Sequence, residues 1–279
     1  MIKTYGQYII GFFIGSNIYI ALVASAVCWS GLILFKTANS VPIIAFVFLA
    51  TQTSYNIQRF FKWKKNVGHK FLEPFIPHNQ TLWLTLILVT GIGAFALLFY
   101  LSWQQNLLLF LISLITGSYL FVNPLTKKLS GIRYIPYLKT FIVSFCWTGL
   151  FFTTTVKDNH AAFFFENIYY WIAVFLEIWQ ACILFDLRDV STDKHELKTF
   201  ANSISLSWMI VLWSLITCTI LFLLLTKSNY NYMLCVYAPI ALIQLYAMIK
   251  KPKQLIFTFL VDGSLILFAV LNYYAFINA

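Results

Sequence analysis

Residues 204–226 read ISLSWMIVLWSLITCTILFLLLT, and this stretch decides the fold of the chain. It contains no charged residue, and it is long enough to cross a bilayer, which takes about 20 apolar residues in a helix. The rest of the chain repeats this pattern, and hydropathy scanning predicts nine membrane-spanning helices. They cover residues 8–35, 41–61, 81–101, 106–122, 137–156, 163–186, 204–226, 230–249 and 255–276. The sequence therefore predicts an all-α, polytopic membrane protein.

The composition of the whole chain agrees with this prediction. Hydrophobic residues make up 61% of the 279 residues and charged residues only 10%, whereas a soluble domain has about 25% charged residues. The mean hydropathy of +0.80 excludes a water-soluble fold. Because only short polar gaps separate the apolar runs, we expect a single transmembrane domain over residues 1–279.

The basic residues predict the orientation of the chain, because cytoplasmic loops of membrane proteins collect Lys and Arg. With nine spans and a cytoplasmic N-terminus, all 19 basic residues except Lys36, Lys157 and Lys227 fall on the cytoplasmic side. We therefore expect a multi-pass protein of the cell (inner) membrane. Its basic face can attract anionic lipid headgroups or a phosphorylated substrate. The basic residues are split among short loops without stacking aromatics, so we expect no nucleic-acid partner.

Acidic residues are rare in this chain, yet four of the nine lie within residues 186–196. Asp186, Asp189 and Asp193 are spaced i, i+3 and i+7, so a helix would place them on one face. Magnesium commonly binds proteins through one or two carboxylates together with substrate phosphates. The spacing therefore suggests a magnesium–diphosphate site. The alternative is a solvated loop whose acids are neutralised by Arg188, Lys194 and Lys198.

The stretch from Asp186 to Asp193, followed by Lys198 and Thr199, resembles the second aspartate-rich motif of the UbiA superfamily of intramembrane prenyltransferases. Residues 123–128, NPLTKK, are similar to the Pro-x-x-Lys-Arg/Lys turn after the fourth span of that family. The resemblance implies nine helices around one central cavity, with the loops after spans two and six meeting at its cytoplasmic mouth. It also implies bound Mg²⁺ and an isoprenyl diphosphate substrate.

The first aspartate-rich motif of the family, Asn-Asp-x-x-Asp-x-x-x-Asp, departs from its pattern here. Asn56 is present, but the three aspartate positions are occupied by Ile57, Phe60 and Lys64. The same loop supplies Arg59 and several lysines. Because a diphosphate carries about three negative charges, direct pairing with Arg or Lys can replace one bridging magnesium. Two interpretations stay open: one magnesium ion with side chains replacing the second, or decay of the motif.

The function implied by the resemblance is transfer of an isoprenyl group from an isoprenyl diphosphate to a lipophilic or aromatic acceptor. Asp186, Asp189 and Asp193 would bind the metal. The diphosphate would be held by Asn56, Arg59, Lys127, Lys128 and Arg188. The alternative is a non-catalytic relative that binds an isoprenoid or quinone lipid, or that serves as a membrane scaffold.

Two further acidic residues lie within predicted spans, where ionisable groups usually face a cavity or a partner. We expect Glu177, together with Gln180, to line the substrate chamber below the acidic motif, the alternative being a protonated structural hydrogen-bonding role. For Asp262 we expect a partner such as Lys139, Arg59 or a backbone group near the cytoplasmic end, the alternative again being a protonated structural hydrogen-bonding role. The five cysteines and four histidines show no disulfide or metal-ligand spacing.

Overall fold

A computed structural model describes residues 9, 11–35, 40–64, 80–119, 135–155, 165–190, 198–225 and 231–277. These residues form nine helices of 17 to 25 residues, each of which overlaps one predicted span, and they contain no strand. The helices are α1 (Ile18–Leu34), α2 (Ser40–Lys64), α3 (Gln80–Leu97), α4 (Trp103–Tyr119), α5 (Leu138–Thr155), α6 (Ile168–Asp189), α7 (Leu206–Leu225), α8 (Asn231–Lys250) and α9 (Gln254–Ile277). A 3₁₀ turn, Leu98–Tyr100, follows α3, and a single helical turn, Phe200–Ser203, precedes α7.

The helices are arranged as a ring that α9 closes by packing against both α8 and α1. The starts of α1, α5 and α9 and the ends of α2 and α6 meet at one end of the molecule. Three side-chain contacts join helices at this end: Asn17 with Asn56, Lys139 with Asp186, and Arg188 with Thr258.

The first predicted span is interrupted in the structure. Residues 11–15 are helical, but the helix breaks at Ser16 and Asn17 before α1 begins at Ile18. Asn17 has φ 61° and ψ 11°, a left-handed conformation that Asn adopts more readily than most residues. The prediction of one continuous span over residues 8–35 is therefore wrong at this point. An apolar run gives no sign of such a break, because its length and hydropathy are unchanged by it.

The outer surface of the ring is apolar. On α3, Leu88, Val89 and Ile92 are more than 60% exposed, and on α7 the same holds for Leu215 and Phe222. Continuous apolar faces of this kind are unfavourable in contact with water, whereas lipid tails can cover them. Segments Gln80–Tyr100, Ile168–Asp189 and Leu206–Leu223 are each long and apolar enough to cross a bilayer. The protein is thus a polytopic helical membrane protein, and the crossing number of nine stays a prediction.

Helices α1 and α5 approach each other closely at the end remote from the acidic residues. Cys28 Sγ lies 3.3 Å from Thr154 Oγ1. A Cβ added to Gly31 would lie 2.9 Å from Cγ2 of Thr155. The absence of a side chain at Gly31 allows this approach.

Candidate functional site

A cavity of about 1220 Å³ lies inside the ring. Its described lining residues come from helices α1 to α6 and α9, from residues 14–17 before α1 and from the 3₁₀ turn after α3, whereas α7 and α8 pack behind α6. Much of the lining is apolar, with side chains such as Phe46, Ala94, Leu98, Leu150 and Leu265. The charged lining residues gather at the end where α1, α2, α5, α6 and α9 meet. This charged end consists of Arg59, Lys139, Asp186, Arg188, Asp189 and Asp262.

The two described carboxylates of the acidic motif lie in the last turn of α6. Asp186 and Asp189 are both buried and both line the cavity, as their spacing of three residues predicts for one helical face. Asp186 Oδ1 pairs with Lys139 Nζ at 2.5 Å. Because Lys139 is on α5, this ion pair joins two neighbouring helices across the cavity wall. Asp193 lies outside the described residues.

Arg188 connects α6 with α9. Its Nε donates to Oδ1 of Asp189 at 2.6 Å, and its Nη2 donates to Oδ2 of the same carboxylate at 3.1 Å. The remaining nitrogen, Nη1, donates to Thr258 Oγ1 at 2.7 Å. The guanidinium group also lies over the ring of Phe185, 4.8 Å from its centroid. All three nitrogens of Arg188 are therefore engaged, and the group is held in one orientation at the cavity wall.

Polar residues of α2 satisfy the backbone of the helix break before α1. Gln52 Nε2 donates to the carbonyl of Ser16 at 2.9 Å, and Asn56 Oδ1 accepts from Asn17 Nδ2 at 2.7 Å. Arg59 Nη1 donates to the carbonyls of Ile14, at 3.0 Å, and Gly15. Their spacing of i, i+4 and i+7 places the three side chains on one face of α2. Such a broken helix is tolerated at membrane depth when its free backbone groups find partners in this way.

This arrangement changes the roles of two residues that were predicted to hold a diphosphate. Asn56 is fully buried against Asn17 and is absent from the cavity lining, so the structure does not place it where a ligand would bind. Arg59 does line the cavity and interacts electrostatically with Arg188, although it also supports the helix break. Arg59 near the end of α2 and Asp189 at the end of α6 line the same cavity, as expected if the loops after spans two and six meet at its mouth. Lys127 and Lys128 lie outside the described residues.

Glu177 and Gln180 occupy a different place from the one expected. Both are buried, but on the side of α6 that faces α7 and α8, and neither lines the cavity. Glu177 accepts hydrogen bonds from the Tyr237 hydroxyl and from Gln244 Nε2, the latter at 2.7 Å. Gln180 Nε2 donates to Thr217 Oγ1 at 2.7 Å. When a helix is apolar around its whole circumference, the spacing of its residues does not show which side faces a cavity.

Asp262 has a neighbour other than the ones expected. Lys139 pairs with Asp186, and Arg59 bonds to backbone carbonyls, whereas Asp262 interacts electrostatically with Arg188. Asp262 is 3% exposed and lines the cavity on α9. Sequence reasoning gave no role to Thr258 and Tyr19, which also line the cavity at this place. Thr258 could have been proposed as a cavity residue from its hydroxyl group and its position one helical turn before Asp262.

The described part of the chain contains two of the three carboxylates predicted to bind magnesium, Asp186 and Asp189. It holds no group of three His, Cys, Asp or Glu residues that could bind a metal ion. Asp186 and Asp189 are each engaged with a cation of the chain, which competes with a metal for the same oxygens. Magnesium binding to these two carboxylates would require these ion pairs to open, and the magnesium site stays a prediction.

Comparison with known proteins agrees on the fold. No family model matches this sequence, and no curated protein matches it either. Among solved structures, that of a digeranylgeranylglyceryl phosphate synthase in membranes is similar, with a TM-score of 0.57 and 12% sequence identity. The match covers 97% of this chain and 98% of the synthase. Over nearly its whole length, this chain therefore has the fold of that membrane enzyme.

Proposed function

We propose that the protein is a membrane prenyltransferase of the UbiA type, which binds an isoprenyl diphosphate and transfers its isoprenyl group to a lipophilic or aromatic acceptor. The observation that carries the proposal is the cavity itself, whose charged end adjoins a long apolar lining. It occurs in a fold shared with a digeranylgeranylglyceryl phosphate synthase.

The two ends of the cavity suit the two parts of such a substrate. Arg59, Lys139 and Arg188 supply three cations for a diphosphate at the charged end. The apolar lining suits an isoprenoid chain, because its burial removes apolar surface from water. A volume of about 1220 Å³ exceeds the roughly 300 to 1,000 Å³ of ordinary small-molecule pockets. A donor and an acceptor can therefore occupy the cavity together.

The chemistry asked of this site is mainly the stabilisation of a leaving group. The bond between the allylic carbon and the diphosphate oxygen breaks, and its electron pair leaves with the diphosphate. The allylic carbon then bonds to the acceptor, which loses a proton. Fixed cations beside the departing diphosphate lower the barrier, because they stabilise charge that develops in the transition state.

Charge balance sets a condition on this binding. The three cations of the charged end lie with three carboxylates, Asp186, Asp189 and Asp262. A diphosphate must therefore draw Lys139 and Arg188 away from their carboxylates, or enter together with a divalent cation. Binding measured with and without Mg²⁺ separates these two cases.

The ion pairs also favour a second candidate function. A cavity whose cations are already paired can hold a neutral isoprenoid or quinone lipid without turnover. In this case the charged end would close the cavity and the apolar lining would bind the lipid. This alternative predicts no diphosphate release.

The test uses the purified full chain in lipid nanodiscs with labelled geranylgeranyl diphosphate. Binding and diphosphate release are measured separately, with and without Mg²⁺. We expect binding by the parent protein, and about 10- to 100-fold weaker binding by Arg188→Met, because a charge-assisted contact is lost. Lys250→Met, an exposed lysine at the end of α8, is the matched control and should bind like the parent.

Absence of binding in a folded parent protein would overturn the proposal. Binding without diphosphate release, across a panel of lipophilic and phenolic acceptors, would favour the lipid-binding alternative.

A further inference from the structure

Asp262 presents a buried carboxylate to the cavity. It lies in the third turn of α9 and is 3% exposed. Its Oδ1 atom is buried and has no hydrogen-bond partner within the described residues. Buried polar atoms in native proteins nearly always have a partner, so such an atom at a cavity wall points to a bound ligand or water.

Two side-chain donors that interact electrostatically with Asp262, Tyr19 and Arg188, form hydrogen bonds to other acceptors. The Tyr19 hydroxyl, which interacts electrostatically with Asp262, donates to the carbonyl of Phe259 at 2.9 Å. Arg188 directs its nitrogens to Asp189 and to Thr258, one turn before Asp262. Asp262 therefore keeps an acceptor oxygen for a molecule in the cavity.

The charges around Asp262 restrict what that molecule can be. A carboxylate repels a phosphate group, which disfavours direct contact between Asp262 and the diphosphate. An ammonium group would be attracted by Asp262 but repelled by Arg188 close by. A neutral hydroxyl can donate to the carboxylate without a charge penalty. The apolar lining beside Asp262, including Leu265, suits the rest of a lipophilic molecule.

We infer that Asp262 binds the hydroxyl group of a lipophilic alcohol or phenol in this cavity. The inference rests on the proposed function only in identifying this molecule as the isoprenyl acceptor. Asp262 then positions the acceptor on the α9 side of the cavity, while Arg59, Lys139 and Arg188 hold the diphosphate.

Two pairs of tritiated probes test this inference, each consisting of a hydroxyl compound and its methyl ether. The first pair is 1-decanol and methyl decyl ether, and the second is 4-octylphenol and 4-octylanisole. Equilibrium binding is measured on the full chain in nanodiscs, with protein-free nanodiscs as background. The two pairs distinguish an alcohol site from a phenol site.

In at least one pair, the parent protein should bind the hydroxyl compound with about tenfold or more higher affinity than its methyl ether. One hydrogen bond to a charged group contributes a difference of this size. Asp262→Leu should abolish this preference because it removes the acceptor. Asp262→Asn should also abolish it, because an amide can donate to the ether oxygen as well as accept from the hydroxyl. Glu177→Gln changes a buried carboxylate outside the cavity lining, so the preference should remain.

Geranylgeranyl diphosphate binding is measured on the same samples and should not be weakened by either Asp262 variant. If Asp262→Leu does not fold, the hydroxyl preference measured with Asp262→Asn tests the inference. A hydroxyl preference that persists in the folded variant overturns the inference, and so does its absence in the parent. A parent that prefers the hydroxyl compounds but does not bind the diphosphate keeps the hydroxyl site and refutes the prenyltransferase proposal.

Discussion

Lys139 at the start of α5 and Asp186 near the end of α6 form an ion pair of 2.5 Å at the charged end of the cavity. The Asp186 side chain is 2% exposed and that of Lys139 is 14% exposed. Both charges have therefore lost most of their water. In such a pair, the attraction between the partners is offset by the cost of desolvating them, and removing only one partner leaves a buried charge.

We predict that Lys139→Met destabilises the protein by about 3 to 5 kcal/mol, the usual cost of removing one partner of a buried ion pair. The double variant Lys139→Met with Asp186→Leu should recover most of this loss, because the buried carboxylate that lost this cation is replaced by an apolar side chain. Unfolding in mixed detergent micelles measures both effects. A double variant less stable than Lys139→Met would contradict the buried-pair explanation.

Arg59 combines a structural role with a cavity position, and the two roles can be separated. Arg59→Ala removes hydrogen bonds to Ile14 and Gly15 and also removes a cation from the cavity. We predict that it lowers stability and weakens diphosphate binding by about 10- to 100-fold. Gln52→Leu is the matched control, because Gln52 supports the same helix break through Ser16 but does not line the cavity.

Gln52→Leu should lower the free energy of unfolding while leaving diphosphate binding unchanged. Calorimetric titration with geranylgeranyl diphosphate, together with thermal unfolding of both variants, provides the measurements. Equal effects of the two variants on binding would mean that Arg59 acts only through the helix break.

The hydrogen-bond network behind α6 should contribute to stability and not to ligand binding. Tyr237 donates to Glu177 and lies 3.1 Å from Gln180 Oε1, and Gln244 joins Glu177 to Ser264 on α9. We predict that Tyr237→Phe destabilises the protein by about 1 to 3 kcal/mol, because it leaves buried acceptors without their donor.

Tyr246→Phe is the control, since Tyr246 is on the same helix and 52% exposed. Its removal of a hydroxyl should change stability by less than about 0.5 kcal/mol, as for most surface substitutions. Thermal unfolding measures both variants. A loss of hydroxyl-probe binding in folded Tyr237→Phe would show that the network extends its influence into the cavity.

The sequence by itself determined where the helices lie. The apolar runs are long, and hydropathy is a local property, so all nine predicted spans overlap helices of the structure. The placement of Asp186 and Asp189 on one face of α6 was equally local, because it follows from a spacing of three residues. The break at Asn17 was missed, since the residues around it keep the hydropathy of a continuous span.

Only the tertiary structure decided which side chains meet. It paired Lys139 with Asp186, bound Arg59 to the backbone before α1 and turned Glu177 away from the cavity. Each of these contacts depends on how a helix is rotated about its own axis against its neighbours. Helices that are apolar on all sides have no amphipathic stripe from which that rotation could be predicted. The packing of the whole ring sets the rotation, and with it the residues that line the cavity.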